Sequence, residues 1–338
     1  MARSERLRYI REIEKQRSSR ILVFITGDRR GLETRIATDV FPFILNHLMR
    51  MGRQKTIDLY LYSTGGITMA GYALVNLIKE FCDSFNVIIP FKAQSCATLI
   101  ALGANNIIMT RMGQLSPIDP SVQSPLGPQA PISGAPGGTQ TIPINVEDAV
   151  SYLDLAKQLG LKEEESIARV FDRLSASVHP LALGSVNRVR EQIGFLAKTL
   201  LAYHVSDPDK IREIVDTITK RRFSHDYLIG RKEAKEVLGL PVIDISADFE
   251  QTIMHLYGEY DRLLQLSVPY NPEIVLGSSQ VARGDFNRAI VESDDLTHVF
   301  RTSKEVSRVT LTPPQVPTPT LGYLERILRE EWLEDNNI

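Results

Sequence analysis

The sequence predicts an α/β fold in which a mostly parallel sheet carries helices on its faces. Three observations predict it: apolar runs of strand length, amphipathic helical segments that alternate with them, and turn residues between the two. The chain has 338 residues and 43% hydrophobic content, so it can bury a large core and exceeds the usual size of one compact domain. We therefore expect one main domain with helical additions.

The first third of the chain alternates regularly between the two kinds of segment. It predicts a charged helix at 7–15, a strand at 20–26 (RILVFIT), a helix at 37–51, a strand at 56–62 (TIDLYLY), a helix at 67–81, a strand at 85–90 (FNVIIP), a helix at 95–103 and a strand at 106–110. Strands separated by helices are typical of parallel sheets, because each helix returns the chain to the same edge.

The remainder of the chain changes character. Residues 116–143 are rich in Pro, Gly, Ser and Gln and predict a loop able to contact substrate. We place a catalytic domain at 20–246 behind an N-terminal charged helix at 1–19, and a helical extension at 247–308. A Pro/Thr linker at 309–320 then leads to a C-terminal helix at 321–338, whose apolar stripe needs a covering surface.

Charge and cysteine content exclude several classes of protein. Lys and Arg number 39 against 41 Asp and Glu, which leaves no overall attraction to nucleic acid or an anionic membrane. Cys82 and Cys96 lack metal-ligand spacing and favour a reducing compartment. The charged N-terminus has no apolar signal core, and no run approaches a membrane span. We expect a cytoplasmic protein that needs neither metal nor organic cofactor, since phosphate-binding glycine motifs are also missing.

Two segments follow predicted strands at the edge where open α/β sheets bind ligands. The first, Ser63-Thr64-Gly65-Gly66, lets the backbone approach a ligand closely and present N–H groups to a developing oxyanion. The second, Gln94-Ser95-Cys96-Ala97, places a serine hydroxyl at the start of a helix of small residues, where substrate can reach it. Each has a simpler interpretation: a tight turn for the glycines, and an N-cap for the serine.

The order and spacing of these segments resemble a known family. Over about residues 21–245 the chain is similar to the Clp protease proteolytic subunit and signal peptide peptidase A, and it is most similar to the serine dehydrogenase proteinase family of this ClpP/crotonase superfamily. The segments that carry the resemblance are LYSTGGITMAGYALVNLIKEF, AQSCATLIALGANNIIMTRMGQLSPIDP, VHPLALGSVNR and HDYLIGRKEAKEVLGL. It implies Ser95 as nucleophile and an oxyanion hole at Gly65, Gly66 and Cys96.

The resemblance leaves the general base open. Where Clp subunits place a catalytic His, this chain has Asp119 in LSPIDP, and Asp226 stands at the position of the Clp aspartate. The Ser, Asp, His order of the serine dehydrogenase proteinase family is satisfied by Ser95, Asp119 and His179. Imidazole suits a base because its pKa lies near neutrality. The alternative bases are His225, His204 and Lys92.

The resemblance therefore implies a serine peptidase that hydrolyses peptides or proteins through an acyl-enzyme. Two other classes stay open: a catalytically silent scaffold, and a crotonase-like enzyme that acts on thioesters through the same oxyanion hole. Related peptidases assemble into closed oligomers, so we also expect a homo-oligomer, with the C-terminal helix available to a neighbouring subunit or another protein.

Overall fold

The computed structural model describes residues 3–118, 121–122, 124–131, 138–219, 227–311 and 320–338. These residues divide into two compact units. The first comprises Met1–Ser116 with Leu228–Ile338, and the second is Pro117–Tyr227. The catalytic domain expected at 20–246 is thus distributed over both units, which are described separately.

The first unit begins with the alternating elements that the sequence predicts. They are α1 (Arg3–Arg17), β1 (Arg20–Thr26), a 3-10 turn (Thr38–Val40), α2 (Phe41–Met51), β2 (Gln54–Tyr62), α3 (Thr68–Lys79), β3 (Cys82–Ile89), β4 (Lys92–Ala93), α4 (Cys96–Leu102), β5 (Asn106–Met109) and β6 (Gln114–Leu115). After the second unit the chain adds β11 (Ile229–Gly230), a π-helical turn (Glu233–Val237), α9 (Ala247–Leu264), α10 (Pro272–Leu276), β12 (Val281–Glu292), β13 (Thr297–Leu311) and β14 (Thr320–Glu334).

The main sheet has seven strands in the order β14-β13-β12-β1-β2-β3-β5. The strands β1, β2, β3 and β5 are parallel, with Val23 opposite Tyr60 and Ile88 opposite Ile108. Their residues are buried on both faces, as expected for parallel strands covered by helices. The predicted α/β fold is confirmed.

The antiparallel half of the sheet corrects the prediction for the end of the chain. The extension expected to be helical over 247–308 is helical only as far as Leu276, and the C-terminal helix expected at 321–338 is the strand β14. β14 pairs with β13 from Thr320 opposite Leu311 to Glu334 opposite His298. A long neighbouring strand satisfies the backbone of 320–334, whereas an isolated helix would be marginal in water. Most of the predicted linker, residues 312–319, lies outside the described residues.

Helices α1 and α9 cover one face of the sheet. Ile10 and Ile13 of α1 and Ile253 and Leu256 of α9 share a buried cluster with the apolar side chains of β1. One charged residue of α1, Arg6, is also buried, and it donates hydrogen bonds to both carboxylate oxygens of Glu292, at 2.7 and 2.9 Å. The predicted charged helix is therefore an integral part of the fold.

The second unit is mainly helical. It contains four short strands, β7 (Ser121–Val122), β8 (Gln129–Pro131), β9 (Thr139–Thr141) and β10 (Ile144–Asn145), followed by α5 (Val146–Gln158), α6 (Glu164–Ser177), α7 (Pro180–Leu201) and α8 (Pro208–Thr219). Its small core joins Ile144, Ala182 and Val186. Across both units, none of the described helices combines the length and hydropathy of a membrane span.

Candidate active site

Ser95 occupies a sharp turn between β4 and α4. Its backbone has φ 50° and ψ −113°, a conformation that L-residues rarely adopt. Serine nucleophiles at strand-to-helix turns use such a strained backbone to expose their hydroxyl. The side chain is half-buried and makes no capping hydrogen bond to α4, so the N-cap interpretation is wrong. No described residue forms a hydrogen bond with Ser95 Oγ, which leaves the hydroxyl available for chemistry.

Two buried hydroxyls support this turn. The Ser95 N–H donates to Ser116 Oγ at 2.8 Å. The Ser116 N–H in turn donates to Thr98 Oγ1 at 3.0 Å, and Thr98 Oγ1 lies 2.9 Å from the carbonyl oxygen of Ala93. Because Ser116 and Thr98 are fully buried, these bonds are shielded from water and hold the strained backbone in place.

The Gly65-Gly66 turn lies directly against Ser95. A Cβ added to Gly65, whose φ is 122°, would lie 2.9 Å from Ser95 Cβ and 3.3 Å from Ser95 Oγ. A Cβ added to Gly66, whose φ is 154°, would overlap the backbone of Ile36. Both positions therefore require glycine, for space and for backbone conformation. The structure brings together the two segments that the sequence singled out.

The backbone N–H groups around Ser95 have different partners. The Gly65 N–H donates to Ser63 Oγ at 3.0 Å, so it is occupied inside the turn. The Gly66 and Cys96 N–H groups find no acceptor in the described parts of the chain. The neighbouring bonds of the turn run from the Ile36 N–H to the Gly65 carbonyl and from the Ile67 N–H to the Ile36 carbonyl, which leaves the Gly66 N–H unused. Two N–H groups, of Gly66 and Cys96, thus have no acceptor among the described residues.

The Cys96 side chain is part of the packing between α3 and α4. It is fully buried, and its Sγ donates to the Ile67 carbonyl oxygen at 3.2 Å. A Cβ added to Gly71 would lie 2.5 Å from Sγ, so glycine at 71 provides the space for the thiol. Burial raises the pKa of Cys96 to about 12. The thiol therefore stays protonated, and only the backbone of Cys96 can serve the site.

Lys92, one of the alternative bases, is held in an ion pair. Its Nζ donates to Asp28 Oδ2 at 2.6 Å, while Tyr62 Oη donates to Asp28 Oδ1 at 2.8 Å. Burial and the Asp28 carboxylate raise the pKa of Tyr62 well above its ordinary value. The Lys92 Nζ is thus engaged by the Asp28 carboxylate in this structure.

The histidine bases belong to the second unit, where two of them are described. His179 is exposed and caps α7, since its Nδ1 accepts the Leu181 N–H at 3.2 Å. In this tautomer the proton resides on Nε2. His204 is half-buried just beyond the end of α7. Asp119, His225 and Asp226 lie outside the described residues, so the relation of the acid and base to Ser95 stays a prediction.

The sequence analysis gave no role to the hydroxyls of four residues around the site. Ser63, Thr26, Ser116 and Thr98 are all buried and hydrogen-bonded next to the two turns. In the sequence only the positions of two of them could have pointed to the site: Ser63 opens the glycine turn, and Ser116 is the first residue of the segment rich in Pro, Gly, Ser and Gln. Among the described residues, no three His, Cys, Asp or Glu side chains group as metal ligands would.

The comparisons with known proteins agree with this geometry. Residues 1–133, which include both turns, match a family described as ClpP-like SDH-type serine proteinase. The resemblance predicted from the sequence is confirmed over this part of the chain. Two uncharacterized proteins of Methanocaldococcus jannaschii are similar over longer stretches. MJ0137 is 28% identical over 75% of this chain and 78% of its own length. MJ1495 is 25% identical over 79% of this chain and 82% of its own length.

Proposed function

We propose, from the match of residues 1–133 to the ClpP-like SDH-type serine proteinases, that this protein hydrolyses peptides or proteins through an acyl-enzyme on Ser95. One observation carries the proposal. The hydroxyl of a serine with strained backbone lies beside the Gly65-Gly66 turn, and the N–H groups of Gly66 and of Cys96, the residue after the serine, have no acceptor among the described residues.

In this mechanism Ser95 Oγ attacks the carbonyl carbon of the scissile amide. Negative charge then develops on the carbonyl oxygen, which accepts hydrogen bonds from the N–H groups of Gly66 and Cys96. Such preorganised donors are worth about 3 kcal/mol each in the transition state. Collapse of the tetrahedral intermediate breaks the C–N bond, and the amine leaves with the proton that the base took from Ser95, so that an ester remains on Ser95. Water then attacks the ester and gives a proton to the base, which returns it to Ser95 Oγ as the carboxylic acid leaves.

We propose His179 as the base that receives the Ser95 proton, with Asp119 as its partner. For His179 Nε2 to accept a proton, the imidazole must carry its own proton on Nδ1. The cap bond from the Leu181 N–H would then be replaced by a bond from Nδ1–H to an acceptor, and in this proposal that acceptor would be the carboxylate of Asp119. His225, His204 and Lys92 are the alternatives, with Asp226 as the other carboxylate.

Labelling with a fluorophosphonate tests the nucleophile directly, because only an activated serine reacts. The wild type is compared with Ser95→Ala and with the matched control Ser18→Ala. Ser18 has the same positive φ of 50° but precedes β1, at the opposite ends of the parallel strands. We expect labelling of the wild type and of Ser18→Ala, and none of Ser95→Ala. Equal labelling of Ser95→Ala, or an unlabelled wild type, would contradict the proposal.

A further inference from the structure

The side chain of Ser63 is buried beneath the glycine turn with its hydrogen-bonding capacity in use. Its Oγ accepts the Gly65 N–H at 3.0 Å and the Thr26 hydroxyl at 2.6 Å, and it lies 3.2 Å from the Gly65 carbonyl oxygen, to which its own proton can be donated. One hydroxyl therefore contacts both polar groups of Gly65. Ser63 and Thr26 are almost completely inaccessible to solvent, so neither side chain is placed to contact substrate.

The backbone of Ser63 binds the other turn. The Ser63 N–H donates to the Lys92 carbonyl oxygen at 2.9 Å, and the Ser63 carbonyl oxygen accepts the Gln94 N–H at 3.0 Å. Gln94 immediately precedes Ser95. Ser63 thus binds both segments: its side chain bonds the glycine turn, and its main chain bonds the residues that precede Ser95.

We propose that Ser63 is a positioning residue that sets the Gly66 N–H relative to Ser95 Oγ, with Thr26 fixing the orientation of the Ser63 hydroxyl. The inference rests on the proposed peptidase function. Glycine restrains its own backbone weakly, so the orientation of the peptide between Gly65 and Gly66 depends on bonds from outside it. The Ile36 N–H also donates to the Gly65 carbonyl oxygen, at 2.9 Å, and the Ser63 hydroxyl adds a second bond to that oxygen and one to the Gly65 N–H. Without the Ser63 hydroxyl the bond from Ile36 remains, but the peptide is restrained less tightly and the oxyanion donor is less well preorganised.

The test separates binding from chemistry by measuring fluorophosphonate inactivation at a series of probe concentrations. For Ser63→Ala we expect the limiting inactivation rate constant to fall about tenfold or more, with the half-saturating probe concentration unchanged within about twofold. The matched control is Thr110→Val. Thr110 is equally buried just after β5, and its Oγ1 donates to the Pro90 carbonyl oxygen at 2.7 Å and accepts the Met112 N–H at 3.1 Å, so its side chain bonds neither turn. The control is expected to inactivate at the wild-type rate.

Three outcomes overturn the inference. Ser63→Ala could keep the wild-type limiting inactivation rate constant, Thr110→Val could lose as much of it as Ser63→Ala does, or Ser63→Ala could change only the half-saturating probe concentration. If Ser63→Ala fails to fold, Thr26→Val decides instead, because it keeps the shape of residue 26 and removes only the bond to Ser63 Oγ. A wild-type rate in that variant also rejects the role. A wild type that is inert towards the probe contradicts the peptidase function, whereas a reactive wild type with an unaffected Ser63→Ala rejects the positioning role alone.

Discussion

Ser95 occupies the space that a side chain at Gly65 would need, since an added Cβ would lie 2.9 Å from Ser95 Cβ. We therefore expect Gly65→Ala to displace the nucleophile. The φ of 122° adds backbone strain of about 1–3 kcal/mol. The variant should lose fluorophosphonate labelling and unfold at lower urea concentration than the wild type.

The control for that substitution is Gly258→Ala in the middle of α9. A Cβ at Gly258 meets nothing within 4 Å, and alanine favours a helix over glycine by up to about 1 kcal/mol. This variant should keep labelling and match or exceed wild-type stability. Undiminished labelling of Gly65→Ala would show that Ser95 stays reactive when the two turns are pushed apart, and would contradict the prediction.

The strained backbone of Ser95 predicts an unusual ranking of stabilities. Ser95→Gly should be more stable than Ser95→Ala by about 1 kcal/mol, because only glycine adopts φ 50° and ψ −113° without cost. Urea unfolding of the two inactive variants measures the difference. A more stable alanine variant would mean that residue 95 is not strained.

A buried histidine pair predicts how stability depends on pH. His47 is inaccessible to solvent, and it bonds Ser293 Oγ through Nδ1 at 2.7 Å and His298 Nδ1 through Nε2 at 3.1 Å. Burial, then the charges of His298, Arg50 and Arg3, lower the pKa of His47 to about 3. Burial and Arg50 also lower the pKa of His298, although Glu334 opposes this.

Below a pH of about 6.5 the unfolded chain binds protons at these histidines more readily than the folded protein does. The contribution of the neutral histidines to the free energy of unfolding is therefore complete above about pH 6.5, and it decreases as the pH falls towards the pKa of the folded state. For His47 we expect a loss of about 2 kcal/mol between pH 7 and pH 5. Urea unfolding at both values should show this loss in the wild type and a smaller one in His47→Gln. An equal pH dependence of the free energy of unfolding in the wild type and His47→Gln would contradict the role of His47.

The buried ion pair between Arg6 and Glu292 predicts a large effect at the N-terminal helix. Tyr260 Oη also donates to Glu292, at 2.6 Å, and no water reaches the carboxylate. Arg6→Ala replaces the bidentate pair of that buried charge by the longer ion pair with Arg3 Nε, at 3.5 Å, and should cost about 3 kcal/mol. Arg11→Ala removes an exposed pair with Asp294 and should cost less than about 1 kcal/mol. If urea unfolding showed a similar loss of free energy of unfolding in Arg6→Ala and Arg11→Ala, the buried ion pair would contribute no more than a surface pair.

The sequence by itself determined the features that depend on neighbours along the chain. The strands Arg20–Thr26 and Gln54–Tyr62 were predicted from apolar runs bounded by turn residues. Such runs are buried in a hydrophobic core whichever elements cover them. The sequence also predicted the turns at Gly65 and Ser95, because a glycine pair and a serine at a helix start each follow a predicted strand. That the two turns lie close together was expected from the family resemblance.

Only the tertiary structure decided which distant segments pair. The spacing of Leu321, Leu324 and Leu328 fits a helical stripe, yet these residues lie in β14 because β13 offers a backbone partner along its whole length. Likewise, nothing local distinguishes Ser63 and Ser116 from ordinary turn residues. Their hydroxyls acquire a role because folding buries them beside Gly65 and Ser95, where a polar group must find a partner inside the protein. Burial and pairing across the chain are properties of the assembled fold, and a local pattern does not contain them.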